Sequence, residues 1–313
     1  MEQKDERSQT TKRPTWRRIL TRSAGIVVVF LLAVELLARW NVRREQQERA
    51  YLGDRLYADV GGERGDPVVF IAGLQGSTRY WNHRFDELAK NHRVIYVDLL
   101  GFGRSPWPDI EYTLDDHLAY LRRTLVERGA TRNVTIVAHS FGTIVAAHYA
   151  ARFPNEIKRL YLLGTPVYDS EEEARRRIWD MSPLAAMFSL RPILAREACL
   201  MMGAARPVFR WAMPRLMRDV PPAVAEDAVL HSWPSIRGAI NNILLTRPIA
   251  RPLRAIGRKT VLFHGTRDTI TPLPRIRALA DECGAALRVL NTDHHGYARE
   301  ARGAIIKAIA ETE

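Results

Sequence analysis

Cysteine is nearly absent from this chain. The 313 residues hold only Cys199 and Cys283, in different segments, which argues against a disulfide framework or a thiolate metal centre. His83, His92, His117, His148 and His231 show no metal-ligand spacing, so no metal is expected. Gly101-Phe102-Gly103 lacks the continuation of a dinucleotide loop, so no nucleotide cofactor is expected either. There is no internal repeat and, after the polar first twenty residues, no low-complexity tract. Acidic residues are outnumbered, 35 against 47 Lys and Arg, giving a net charge of +12. Such a balance suits nucleic acid or an anionic membrane. No helix-turn-helix or basic–aromatic array is present, so nucleic acid is not expected as a partner. Lys12, Arg13, Arg17, Arg18 and Arg22 crowd the first fifty residues, which favours the membrane.

Long apolar runs are also scarce, with one exception at residues 24–38. Arg22 and Arg39 bracket it, and Trp16 and Trp40 stand further out. As a helix, residues 23–38 span about 24 Å, against roughly 30 Å of hydrocarbon. Snorkelling arginines cover part of the shortfall, and Glu35 lies one turn from the end. No small-x-small cleavage site follows, so an uncleaved single-pass anchor over about residues 23–40 fits better than a signal peptide or a docked amphipathic helix. More Lys and Arg precede the run than follow it, net of acids. That favours a cytoplasmic amino terminus and a main domain on the outer, periplasmic side.

From residue 51 onward, strand and helix patterns alternate. Residues 56–60, 68–71, 94–99 and 159–163 read as strands. Residues 80–91 read as a helix from Trp81, Phe85 and Leu88, and residues 112–128 from Leu114, Leu118, Leu121 and Leu125. This predicts an α/β fold with a mostly parallel sheet sandwiched by helices. The alternation stops over residues 167–257. That stretch is helix-like, rich in methionine (Met181, Met187, Met201, Met202, Met213, Met217) and tryptophan (Trp179, Trp211, Trp233), and cut by prolines from Pro183 to Pro222. The expected organisation is therefore an amino-terminal segment, 1–50, a core from 51–166 and 258–313, and a helical insertion, 167–257. Adaptable methionine and aromatic surface suits a lipophilic substrate.

Val137-Ala138-His139-Ser140-Phe141-Gly142 places a serine between a β-branched strand and a small-residue helix, with small residues two positions to either side. This is the pattern of a nucleophile elbow, with alanine for the usual first glycine. A serine hydroxyl needs a base, and the base an orienting carboxylate. Asp268 follows the strand and turn ending His264-Gly265. His294 and His295 follow the strand 287–290. Either histidine qualifies as base. Glu300, five residues past His295, and the five-residue step from Leu290 favour His295, with His294 the alternative. Asp169 is a rival acid. His139 and His264 are expected to be structural, and Asp98 and Arg104 to hold their own turn. The Phe141 N–H, at a helix amino terminus, and the Leu74 N–H would receive an oxyanion.

Taken with Ala72-Gly73-Leu74-Gln75-Gly76-Ser77 and Asp98-Leu99-Leu100-Gly101-Phe102-Gly103-Arg104-Ser105, these stretches make residues 55–313 resemble the α/β-hydrolase family. Ala72 departs from the histidine that often precedes the oxyanion-loop glycine. The resemblance implies that the helical insertion, 167–257, is a cap over the site. Serine at position 140, where a nucleophilic aspartate would imply epoxide or haloalkane chemistry, implies a cofactor-independent serine esterase or lipase-like enzyme. It would act on a small acyl substrate through Ser140, Asp268 and His295. The alternatives are a carbon–carbon bond hydrolase with the same triad and a non-catalytic small-molecule binding protein.

Overall fold

The structure, a computed structural model, describes residues 15–181, 190–218 and 220–311. Lys12, Arg13, Pro183 and Met187 lie outside the described residues, as do the side chains of Trp16, Arg17, Arg18, Arg22 and Met181.

The apolar, β-branched runs form strands β1 (Ala58–Gly61), β2 (Pro67–Ile71), β3 (Arg93–Val97), β4 (Val134–His139), β5 (Ile157–Leu163), β6 (Thr260–Gly265) and β7 (Ala286–Leu290). They build one sheet in the order β1-β3-β2-β4-β5-β6-β7. Only β1 runs antiparallel. Strands β2 and β4 have neighbours on both sides, and all eleven of their residues are buried, as expected of a parallel sheet covered on both faces. The side-chain period of two divides β2 cleanly. Val69 and Ile71 join the core under helices α2 (Leu114–Glu127) and α3 (Phe141–Arg152). Val68 and Phe70 join Trp81, Phe85 and Ile305 on the other face.

Residues 80–91 do not form the expected helix. They form two 3₁₀ turns, Thr78–Tyr80 and Asp86–Lys90. Asn82 and His83 between them take positive φ, 44° and 55°, which no right-handed helix accommodates. Trp81, Phe85 and Leu88 are nonetheless buried together, so their spacing reported burial correctly and secondary structure incorrectly.

The segment 167–257 carries α4 (Glu171–Met181), α5 (Pro192–Ala204), α6 (Arg206–Leu216), α7 (Pro222–Asp227), α8 (Trp233–Gly238), a π-helical turn at Ala239–Leu244, and α9 (Ala250–Ile256). The core closes with α10 (Leu273–Cys283) and α11 (Arg302–Ala310). At the other end, α1 (Thr15–Arg49) runs through the apolar stretch and continues to Arg49. Its residues from Gly25 to Leu32 are exposed, whereas Ala38 and Arg49 are buried against the rest of the molecule. Within Gly25–Leu52 the chain has one helix long and apolar enough to cross a membrane.

Candidate active site

Strand β4 delivers Ser140 to the sheet edge, and α3 starts one residue later. Ser140 has φ 51° and ψ −124°, a conformation that costs on the order of 1–3 kcal/mol for a non-glycine residue. Its backbone is pinned on both sides. The Ser140 N–H donates to the Leu163 carbonyl at 2.9 Å, and the Ser140 carbonyl accepts from Thr143 N–H at 2.8 Å and Thr143 Oγ1 at 2.6 Å. Gly142 is sterically required, since a Cβ there would lie 2.4 Å from the Ala72 carbonyl oxygen. Gly73 is similarly close, because a Cβ would meet the Ser140 Cβ at 3.1 Å. The loop carrying Leu74 thus lies against the serine. The Phe141 N–H is the first of α3 and has no partner within its own helix, by position.

One unbroken hydrogen-bonded line crosses the sheet edge. Ser140 Oγ lies 3.0 Å from His294 Nε2, and His294 Nδ1 lies 2.9 Å from Asp268 Oδ2. A neutral imidazole with its proton on Nδ1 satisfies both contacts: it accepts from the serine and donates to the carboxylate. The imidazole in this line is that of His294, and the expectation for His295 is corrected. The Asp293 carboxylate accepts the His295 N–H at 2.9 Å, and this local turn sends successive side chains different ways. The His295 ring stands edge-on to that of His294, centroids 5.2 Å apart, outside the line. Glu300, which favoured His295 by spacing, pairs with Arg267 at 2.7 Å.

Asp268 is well equipped to stay ionised. Burial opposes its charge, but the His294 imidazole, the Ile270 N–H and the Tyr297 hydroxyl all donate to it and hold its carboxyl at about 2. Tyr297 OH is 2.9 Å from Asp268 Oδ2 and accepts the Gly265 N–H at 2.8 Å. Nothing in the sequence singles out Tyr297, because its partners lie on the β6 turn, 29 and 32 residues earlier in the chain. Gly164 forms the floor of the pair. A Cβ there would lie 2.8 Å from Asp268 Oδ2 and 3.0 Å from His294 Nδ1, and its φ is 58°.

The remaining candidates fall elsewhere. Asp169 pairs with Arg275 at 2.7 Å on the surface. His264 is buried at the end of β6. His139 is buried and stacks on Tyr80, centroids 4.5 Å apart. Asp98 accepts the Arg104 N–H at 2.7 Å, as its turn requires, and also accepts the Thr78 N–H beside the loop that carries Leu74. Helix α7 joins this region through Asp227, which accepts Ser77 Oγ at 2.7 Å and Arg79 at 2.8 Å. Trp179, Met201 and Trp211 are exposed.

The alpha/beta hydrolase fold sequence family matches residues 66–298. The chain is 33% identical over 230 residues to the probable lysophospholipase BODYGUARD 4 of Arabidopsis thaliana, covering 67% of this chain and 54% of that protein. It therefore spans about half the length of that relative. A haloalkane dehalogenase of Agrobacterium fabrum is 36% identical over 94 residues, 30% of this chain and 31% of its own. A carboxylesterase structure from Nitrososphaera gargenis superposes with a TM-score of 0.61 at 24% identity, covering 82% of this chain and 94% of its own, which shows the shared fold. The chain belongs to the alpha/beta hydrolase fold family.

Proposed function

We propose that this protein is a membrane-anchored serine hydrolase that cleaves an acyl ester of a lipophilic substrate. The observation that carries the reading is the continuous line Ser140–His294–Asp268. Ser140 Oγ attacks the ester carbonyl while its proton passes to His294 Nε2. Asp268 holds the imidazole tautomer and stabilises the imidazolium. The tetrahedral oxyanion is received by the N–H groups of Phe141 and Leu74, each of which is worth on the order of 10²–10³ in turnover. The imidazolium returns the proton to the departing alcohol, leaving an acyl-serine. Water, deprotonated by His294, then releases the acid and restores the serine.

The name of the Arabidopsis relative, a probable lysophospholipase, supports an acyl lipid as substrate class. The apolar, exposed part of α1 supports an anchor, and the excess of Lys and Arg before it supports an outer, periplasmic catalytic domain. A fluorophosphonate probe tests the chemistry. Wild type is expected to label and Ser140→Ala is not, with p-nitrophenyl acyl esters then setting the preferred chain length. An unlabelled wild type without ester turnover at any length would remove the proposal. Full-length protein is expected to sediment with membranes, and a version beginning at Asn41 to stay in the supernatant.

A further inference from the structure

The anchor helix does not end where the apolar run ends, and its continuation is locked to the cap. Glu35 pairs with Arg196 at 2.7 Å, and Glu45 pairs with Arg206 at 2.9 Å, both across 161 residues. Between them, the Asn41 side-chain amide donates to the Gly203 carbonyl at 2.9 Å and the Ala204 carbonyl at 3.2 Å. Ala38 is buried where α5 offers Gly203, and a Cβ on that glycine would sit 3.7 Å from the Ala38 Cβ. Small residues let the two backbones approach, and the polar pairs fix the register. Helices α1 and α5 therefore run side by side in the same direction.

This register reaches further than the contacts themselves. The same offset of 161 residues places Ile193 level with Leu32 and Leu194 level with Ala33, inside the apolar run. Ile193 is 78% exposed and Leu194 is 42% exposed. At 1.5 Å per residue, Leu32 stands about 9 Å before Ala38 along the helix. The ionic level is marked by Glu35, which binds both Arg196 and Arg39. Trp40, exposed beyond it, suits the headgroup region. The next cap helix adds exposed Val208, Trp211 and Leu216, with the Arg215 guanidinium 4.1 Å from the Trp211 ring centroid. Apolar side chains beside arginines are the composition of a helix lying in a lipid interface.

We infer that the amino-terminal turn of α5 enters the membrane beside the anchor, so that the cap rests on the lipid and receives an acyl lipid directly from the leaflet. This rests on the proposed anchor and hydrolase activity, and its occupant is lipid rather than protein. The test places a nitroxide label on full-length protein in phosphatidylcholine vesicles, one site at a time, through Ile193→Cys, Leu31→Cys and Val126→Cys. Cys199 and Cys283 are buried and form the background. Accessibility to oxygen and to a water-soluble nickel chelate is then compared. The expected result is that position 193 follows position 31, with oxygen favoured, while position 126 favours nickel. If 193 follows 126 while 31 remains in lipid, the anchor stands and the inference falls. If 31 also follows 126, the anchor reading fails and takes the inference with it. If 193 is shielded from both reagents, a protein partner covers the face, and the inference again falls. A second measurement uses Leu194→Asp. Its rate on a long-chain fluorogenic ester held in vesicles is expected to drop at least fivefold, with p-nitrophenyl butyrate hydrolysis unchanged. Equal rates on both substrates would overturn the inference.

Discussion

His139 Nε2 lies 2.7 Å from the carbonyl oxygen of His294. The residue before Ser140 thus holds the backbone of the residue whose imidazole meets the serine hydroxyl. Burial, then the nearby His294 and His295, push the His139 pKa well below the ordinary histidine value. His139 is therefore neutral, with its proton on the Nε2 that donates. Replacing it by phenylalanine keeps a ring against Tyr80 and deletes the donor. His139→Phe is expected to lower kcat about tenfold with little change in KM, as befits a group that positions the base without touching substrate. An unchanged kcat would show that the contact is only packing.

The two adjacent histidines separate cleanly by mutation. His294→Ala is expected to reduce kcat/KM by roughly 10³-fold or more, since a hydroxyl without its base is a weak nucleophile. His295→Ala is expected to cost less than about tenfold. Steady-state ester hydrolysis by the two variants, with fluorophosphonate labelling rates alongside, checks the assignment. Equal losses would return His295 to contention.

Tyr297 ties the acid to the β6 turn through two hydrogen bonds, one donated to Asp268 and one accepted from Gly265. Tyr297→Phe removes both and leaves the buried Gly265 N–H unpaired, a loss of about 1–3 kcal/mol. A fall of that size in urea-unfolding stability is expected, with a modest drop in kcat as Asp268 loses one of its anchors. A variant as stable and active as wild type would mean that these bonds contribute nothing net.

The Asp268 carboxyl sits at about 2, below its ordinary 3.8. A depressed acid contributes stability that is complete above the unfolded value and lost as pH falls through the folded one. The contribution is about 2 kcal/mol. Wild type should therefore exceed Asp268→Asn by about that amount at pH 7, and the gap should close between about pH 4 and pH 2. Denaturant unfolding of both proteins across this range checks the sign. A gap that widens toward acid would contradict it.

Several parts of this arrangement were legible in the sequence for simple physical reasons. The elbow is a local steric demand, and the Cβ that Gly142 lacks would strike the Ala72 carbonyl. The strand runs are legible because both faces of a parallel sheet are buried. Asp268 follows its strand by one short turn, so position alone suffices. The choice between His294 and His295 was not legible. Their spacing from the strand differs by one residue, and the deciding factor is which way the turn at Asp293 rotates the chain. The 80–91 segment misled because burial spacing and backbone conformation are separate properties, and two positive φ angles broke the helix.

The sequence by itself determined the alternation of strands and helices, the tight turn at Ser140, the chain order of Ser140, Asp268 and the histidine pair, and the apolar run of α1. Each is set within a few residues by side-chain size, branching and period. Tertiary structure alone decided which imidazole meets the serine, that Tyr297 and Gly164 surround the acid, and that α1 lies in register with α5. Those outcomes depend on segments far apart in the chain, brought together by packing such as Ala38 on Gly203, and no local pattern encodes a contact with a surface that exists only after folding.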